Sequence, residues 1–188
     1  MTEVQLTAFE HILLGLICLA PSSGYDLKRI FATSPMGIYQ PSSGALYPAL
    51  RRLERKGLVR ARTADRPDQH ARARYVYEPT ELGVVADTRW LRAPVRAETV
   101  ARDLGLHLMR FVMMEHLLAP DQVLRFLRDL ADALAAFTTE LGRHAAATDP
   151  SSGHARLALD HGLAVHRASL RWTEDTIATL STSPPLSA

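Results

Sequence analysis

The chain has 188 residues, with 22 Lys and Arg against 20 Asp and Glu, and 47% of its residues are hydrophobic. That is enough for one or two domains with a well-filled core, and Cys18 as the only cysteine excludes an internal disulfide. Only 6% of the residues are aromatic, while Ala and Leu are abundant, which favours a mainly helical architecture over a sandwich of sheets. The apolar run over residues 12–20 follows Glu3 and Glu10 rather than a basic leader, and it is about half as long as a membrane span. Residues 104–118 are greasier but are interrupted by His107, Arg110, Glu115 and His116. Both read as buried helices of a soluble, cytoplasmic protein. Cys18 reads as a small buried hydrophobe, the alternative being a redox-sensing thiol for which no local cause is visible.

Residues 6–19 form the first predicted helix. Thr7 and Glu10 have capping-box spacing, and Phe9, Ile12, Leu13, Leu16 and Ile17 form the buried side. Ala20-Pro21-Ser22-Ser23 breaks it, and Ser23 can cap a short helix over Gly24–Ala32, where Gly24 marks close packing. A proline-bounded loop over residues 33–41 leads to the stretch on which the chain turns, Ser42 to Val59. There Leu46, Ala49, Leu50 and Leu53 repeat as one helical stripe. The opposite face carries Gly44, Pro48, Arg51 and Arg55, with Tyr47 on its flank. Ser42 or Ser43 supplies the cap and Gly57 the stop.

Two strand candidates follow, Leu58–Thr63 and Arg72–Glu78, separated by a polar loop too long for a tight turn. Residues 51–74 hold nine Arg or Lys against Glu54, Asp65 and Asp68, a local net charge of +6 in a chain whose total is +2. Such concentration on one helix and one hairpin is a nucleic-acid footprint. Three short helices ending in a basic amphipathic one outline a helix-turn-helix, and the hairpin is its two-stranded β-wing. Tyr75 and Tyr77 alternate with Val76, so one face of the second wing strand packs and the other is wet. Another helix begins at Pro79-Thr80-Glu81 and runs to about Arg92, and Pro94 marks a boundary.

Residues 101–188 hold eight basic and ten acidic side chains, so a second DNA surface is not expected there. Helices are predicted over residues 98–118, from Pro120-Asp121 to Leu141 with a loop over Gly142–Ser152, and over 153–180. Residues 104–118 and parts of 157–172 are apolar on nearly every face, more than a monomer tolerates, which points to dimerisation. A two-fold pair also places two recognition helices about one turn of B-DNA apart. The predicted architecture is mainly α, with a winged helix-turn-helix and connecting helix over residues 1–97. An all-helical dimerisation domain over 98–182 and a flexible tail over 183–188 complete it.

Several stretches together resemble the PadR family of transcriptional regulators: Gly24-Tyr25-Asp26-Leu27, Gly44 through Glu54 with Gly57-Leu58-Val59, Arg74-Tyr75-Val76-Tyr77 with Thr80 and Gly83, and Arg171-Trp172 near the end. The resemblance is strong over residues 12–83 and softer beyond 98. It implies a homodimer that binds operator DNA, usually as a repressor, and that in some members lets go when a small phenolic or drug-like molecule binds. Carried onto this chain, it sets Ser42, Ser43, Gly44, Tyr47 and Arg51 toward the major groove and nearby phosphates, and Arg66, Arg72 and Arg74 in the wing. The chain departs from the family's usual residues at Ala45, Val76 and Pro79, and Ala45 removes a hydroxyl beside the DNA-facing group.

On physical grounds, Arg51 and Arg55 sit late in the recognition helix, where long stems reach phosphates more often than base edges. Trp90 and Trp172, with Met109, Phe111, Met113 and Met114, can line a cavity for a flat aromatic or hydrophobic effector, or form plain core. An enzyme is not expected. No two histidines lie three or four apart, and there is no Gly-rich phosphate loop and no serine nucleophile elbow, so neither metal nor cofactor is implied. The rival to a DNA-binding regulator is a winged-helix protein-interaction module that touches no DNA.

Overall fold

The computed structural model describes residues 5–33, 43–63, 75–115, 117–147 and 153–182. In chain order the elements are α1 (Ala8–Leu19), β1 (Ser22–Ser23), α2 (Gly24–Thr33), α3 (Ser43–Arg55), β2 (Val59–Thr63), β3 (Tyr75–Pro79) and α4 (Glu81–Leu91), then α5 (Leu104–Met114), α6 (Pro120–Ala147) and α7 (His154–Thr182). They divide into two compact units, Met1–Ala93 with Leu108–Leu117, and Pro94–His107 with Leu118–Ala188. Among the described residues no helix is long and apolar enough to cross a membrane.

The first unit is a winged helix-turn-helix. Its core is made of Ile12, Leu13, Leu14 and Ile17 of α1, Leu27 of α2, and Leu46, Ala49, Leu50 and Leu53 of α3, all fully buried. Each large aliphatic side chain taken out of water there stabilises the fold by about 1.5–3 kcal/mol. α1 starts on the expected capping box: the Glu10 N–H donates to the Thr7 hydroxyl (3.2 Å), and the Thr7 N–H donates to the Glu10 carboxylate (3.0 Å). Ser23 caps α2 in the same manner, accepting from the Asp26 N–H while its own N–H and hydroxyl donate to the Asp26 carboxylate.

The break read at Ala20–Ser23 contains a further element. Ser22-Ser23 adds a short strand to the wing, in an antiparallel sheet of order β1-β3-β2. Pro21 holds the chain extended there, and Ser22 and Ser23 come opposite Tyr77 and Val76. β2 pairs with β3 in the register Val59↔Pro79, Arg60↔Glu78, Ala61↔Tyr77, Arg62↔Val76 and Thr63↔Tyr75. Tyr77 lies on the buried side of this sheet, whereas Tyr75 is exposed.

α4 crosses the start of the wing at backbone contact. The Thr80 N–H donates to the Leu58 carbonyl (3.0 Å), and its hydroxyl donates to the Gly57 carbonyl (2.6 Å) while accepting from the Gly83 N–H (3.1 Å). A Cβ on Gly83 would stand 2.0 Å from the Leu58 carbonyl oxygen, so only glycine allows this approach.

In the second unit α6 and α7 pack along one another. Leu127, Leu130 and Leu134 of α6 and Leu163 and Thr173 of α7 are buried. Phe137 meets His166 edge-on at 4.8 Å, and Arg156 donates to the Ala145 carbonyl (3.0 Å).

Two predicted boundaries are corrected here. α6 does not stop at Gly142 but runs to Ala147, because burial of Ala145 and the Arg156 bond outweigh the roughly 1 kcal/mol that a helical glycine costs. Nor does α5 begin at residue 98. Residues 97–102 form turns, with isolated bonds from Thr99 N to Arg96 O and from Asp103 N to Thr99 O, and of these residues only Val100 is an apolar anchor. The expected tail, residues 183–188, lies outside the described residues.

Candidate nucleic-acid interface

α3 presents two unlike faces. The stripe Leu46, Ala49, Leu50 and Leu53 is fully buried, while Gly44, Ala45, Tyr47, Pro48, Arg51, Glu54 and Arg55 are exposed. Pro48 lacks the N–H that would bond back to the Gly44 carbonyl, leaving an acceptor without its usual helical donor on the exposed side. The helix ends as predicted on Gly57, whose φ of 69° is left-handed. The Leu58 N–H bonds to Leu53 O (3.0 Å) and the Gly57 N–H to Glu54 O (2.9 Å), the paired bonds of a Schellman stop.

Electrostatics divides the cations of this region into two groups. The Glu10 carboxylate, 1% exposed, accepts from Arg52 Nε (2.6 Å) and Lys56 Nζ (3.2 Å), and Lys56 also donates to the Gln5 carbonyl (2.8 Å). Burial pushes the Glu10 carboxyl upward. The bonds from Arg52, from the Thr7 backbone and from Lys56, with the Lys56 charge, together outweigh that and hold it at about 2. On the wing, Glu78 accepts from Arg60 Nη2 (3.1 Å) and Arg62 Nε (3.0 Å). Arg51 and Arg55 have no carboxylate within ion-pair distance among the described residues.

Of the residues assigned to DNA, the structure thus brings Gly44, Tyr47, Arg51 and Arg55 onto one exposed face of α3, with the Ser43 backbone at its first turn. Tyr47 has a second role. Its ring fills the space beside Gly24, 2.7 Å from where a Cβ would stand, so it braces α2 against α3 and is only half exposed. Ser42, Arg66, Arg72 and Arg74 lie outside the described residues.

The residues assigned to an effector fall in both units. Trp90, Met109, Phe111 and Met113 belong to the first and Trp172 to the second. Trp90 is stacked on His11 (4.6 Å, 7°), and Arg110, which donates to the carbonyls of Leu91 and Ala93, lies 5.7 Å from the indole. Met113 is fully buried against Gly15. Burial first, then the nearby Arg110 and Lys56 charges, lower the His11 pKa to about 4 against the opposing pull of Glu10.

Asp87 is the polar group of this layer that periodicity does not reveal. It is 1% exposed, and neither carboxylate oxygen has a partner in hydrogen-bond geometry. Desolvation drives it up to about 7, offset only in part by the Cys18 thiol, a weak donor. Burial and the Asp87 carboxylate in turn push Cys18 to about 12, which makes it an inert thiol. Glu10 could be read from sequence as a cap, but its partners Arg52 and Lys56 are 42 and 46 residues away, beyond any local signal.

Residues 13–87 match the Transcriptional regulator PadR-like family. No curated protein matches the chain. Similar solved structures include Bacillus subtilis PadR in complex with operator DNA, at 19% identity over 93% of this chain and 99% of that one, with a TM-score of 0.42. The same protein in complex with p-coumaric acid matches at 19% identity over 93% and 99%, TM-score 0.40. A PadR-like transcriptional regulator from Bacillus cereus matches at 20% over 92% and 97%, TM-score 0.38. Residues 13–87, the segment that carries the winged helix, are thus similar to the PadR-like family of transcriptional regulators.

Proposed function

We propose that the chain is a sequence-specific DNA-binding regulator, acting in the cytoplasm as a homodimeric repressor on a palindromic operator. The observation that carries this is the exposed face of α3. Among the described residues Arg51 and Arg55 have no carboxylate partner there, while the other cations described between residues 51 and 62 are ion-paired within the fold. A helix with small groups at its start and two unneutralised guanidinium groups at its end suits a major groove flanked by phosphates. Pairing of two copies is supported by α7, which in the single chain leaves Leu157 65% and Trp172 37% exposed, with Val165 between them. Ser42, Ser43, Gly44 and Tyr47 would approach the bases, and Arg66, Arg72 and Arg74 the backbone beside them.

The test is a salt titration of binding to a duplex from the chain's own upstream region and to a random duplex. Arg51→Ala should weaken both and lower the slope of log K against log salt by about one unit per arginine removed. An unchanged slope refutes the role of Arg51. A folded protein that leaves both duplexes free in dilute buffer is instead a protein-interaction module. Repeating the titration with phenolic acids or cationic dyes, and following indole fluorescence, tests an effector held by Trp90, Met109, Phe111 and Met113 of the first unit or by Trp172 of the second. DNA affinity and fluorescence that no such compound changes would remove the effector from this reading.

A further inference from the structure

Glu10 and Glu78 each hold two cations of the segment that faces DNA. Along α3 and the turn residue Lys56 that follows it, Arg51/Arg55 and Arg52/Lys56 are two pairs at the same four-residue spacing, displaced by one residue and so about 100° apart around the helix. The first pair has no carboxylate partner among the described residues; the second is drawn onto the buried Glu10, leaving the Arg52 and Lys56 side chains 40% and 30% exposed. On the wing, Glu78 is directly opposite Arg60 and diagonal to Arg62, which places all three on one face of the sheet. The two guanidinium groups are 70% and 59% exposed, so they are within reach of solvent and of a polyanion, yet both are bonded to one carboxylate.

We propose that Glu10 and Glu78 are specificity-determining residues, which withhold Arg52, Lys56, Arg60 and Arg62 from phosphate and so limit the sequence-independent part of DNA binding. The inference rests on the DNA-binding reading given above and deepens it. Phosphate contacts carry no sequence information, and non-specific affinity grows with the number of cations free to make them. A complex locked in one register by base contacts gains from a released cation only where a phosphate already lies within its reach. A loosely docked complex on random sequence shifts to use every one. Carboxylates that occupy four cations therefore lower random binding more than operator binding, and Arg51 and Arg55 remain to position the helix.

The experiment compares full-length wild type, Glu10→Gln and Glu78→Gln on a random duplex and on a duplex from the chain's own promoter region, across a range of salt. Each variant takes the carboxylate from two cations per subunit, so its salt slope on random DNA should steepen by up to about 2 per subunit, and a tenfold rise in salt should weaken it by up to a further ~60-fold. At low salt its preference for the promoter duplex over random DNA should fall. Adding Arg60→Ala and Arg62→Ala to Glu78→Gln should restore the wild-type slope, which a merely structural role of Glu78 would not do. Glu78 is less deeply buried than Glu10, with 16% of its side chain exposed against 2%, so its variant keeps the question answerable if Glu10→Gln unfolds. Wild-type binding with ordinary salt dependence, and variant slopes parallel to it, would overturn this inference alone. Wild-type protein that binds neither duplex would overturn the DNA-binding reading and this inference together.

Discussion

Replacing Asp87 by asparagine isolates the cost of a carboxylate buried with only a thiol, a weak donor, beside it. In the folded state its pKa is raised from 3.8 to about 7, chiefly by desolvation. Below pH 3.8 both states carry the proton. As pH rises from there to 7 the unfolded chain loses it and the folded chain keeps it, so stability falls with pH, and above 7 the loss is complete. At about 1.4 kcal/mol per pKa unit the total is at most about 4 kcal/mol, since any water or local opening that reaches the carboxylate reduces it.

His11 acts in the opposite sense between pH 4 and 6.5, because its folded pKa is depressed to about 4. The quantity to read is therefore the variant-minus-wild-type difference, in which His11 cancels. The assay is urea unfolding in a Trp172→Phe background, where Trp90 is the remaining indole and reports on the first unit. The difference should grow in favour of Asp87→Asn by up to about 4 kcal/mol between about pH 4 and pH 8. A difference that stays constant over that range would show that Asp87 is solvated, and the reasoning from its burial would be wrong.

Two glycines should respond in opposite directions to alanine. Gly83→Ala drives a Cβ into the Leu58 carbonyl and should lower stability by about 3 kcal/mol, whereas Gly142→Ala, with nothing within 4 Å, should raise it by about 1 kcal/mol. Urea midpoints decide both, and a wild-type midpoint for Gly83→Ala would contradict the close approach of α4 to the wing. Acid provides a separate check on Glu10. Its carboxyl is held at about 2 instead of 4.5, so its contribution of about 3 kcal/mol is present above pH 4.5 and disappears as pH falls toward 2. Glu10→Gln should flatten that acid limb, as read by unfolding at low pH, and an unaltered limb would exclude the Arg52–Glu10–Lys56 cluster as its source.

Local patterns were sufficient for most of the winged helix. Capping at Thr7 and Ser23, the stripe from Leu46 to Leu53 and the stop at Gly57 are set by residues within a few positions of one another, and each wing strand by the alternation along its own segment. The exposed α3 face with Arg51 and Arg55 follows from the same periodicity, because burial of one side of a helix determines which side is left. Charge counting found the basic segment too, but not its division. Arg52 and Lys56 look like Arg51 and Arg55 until Glu10, folded in from α1, comes within 3.2 Å.

Tertiary structure alone decided what depends on partners distant along the chain. It made a strand of Ser22-Ser23 by bringing β3 alongside, and carried α6 past Gly142 by laying α7 against it. It packed Met113 of α5 on Gly15 and buried Asp87 beside Cys18, which set two pKa values far from their ordinary ones. The physical reason is the same in each case. Helix propensity, caps and turns are short-range energies written in neighbouring residues, whereas desolvation and ion pairing depend on which surfaces meet once the chain has closed on itself.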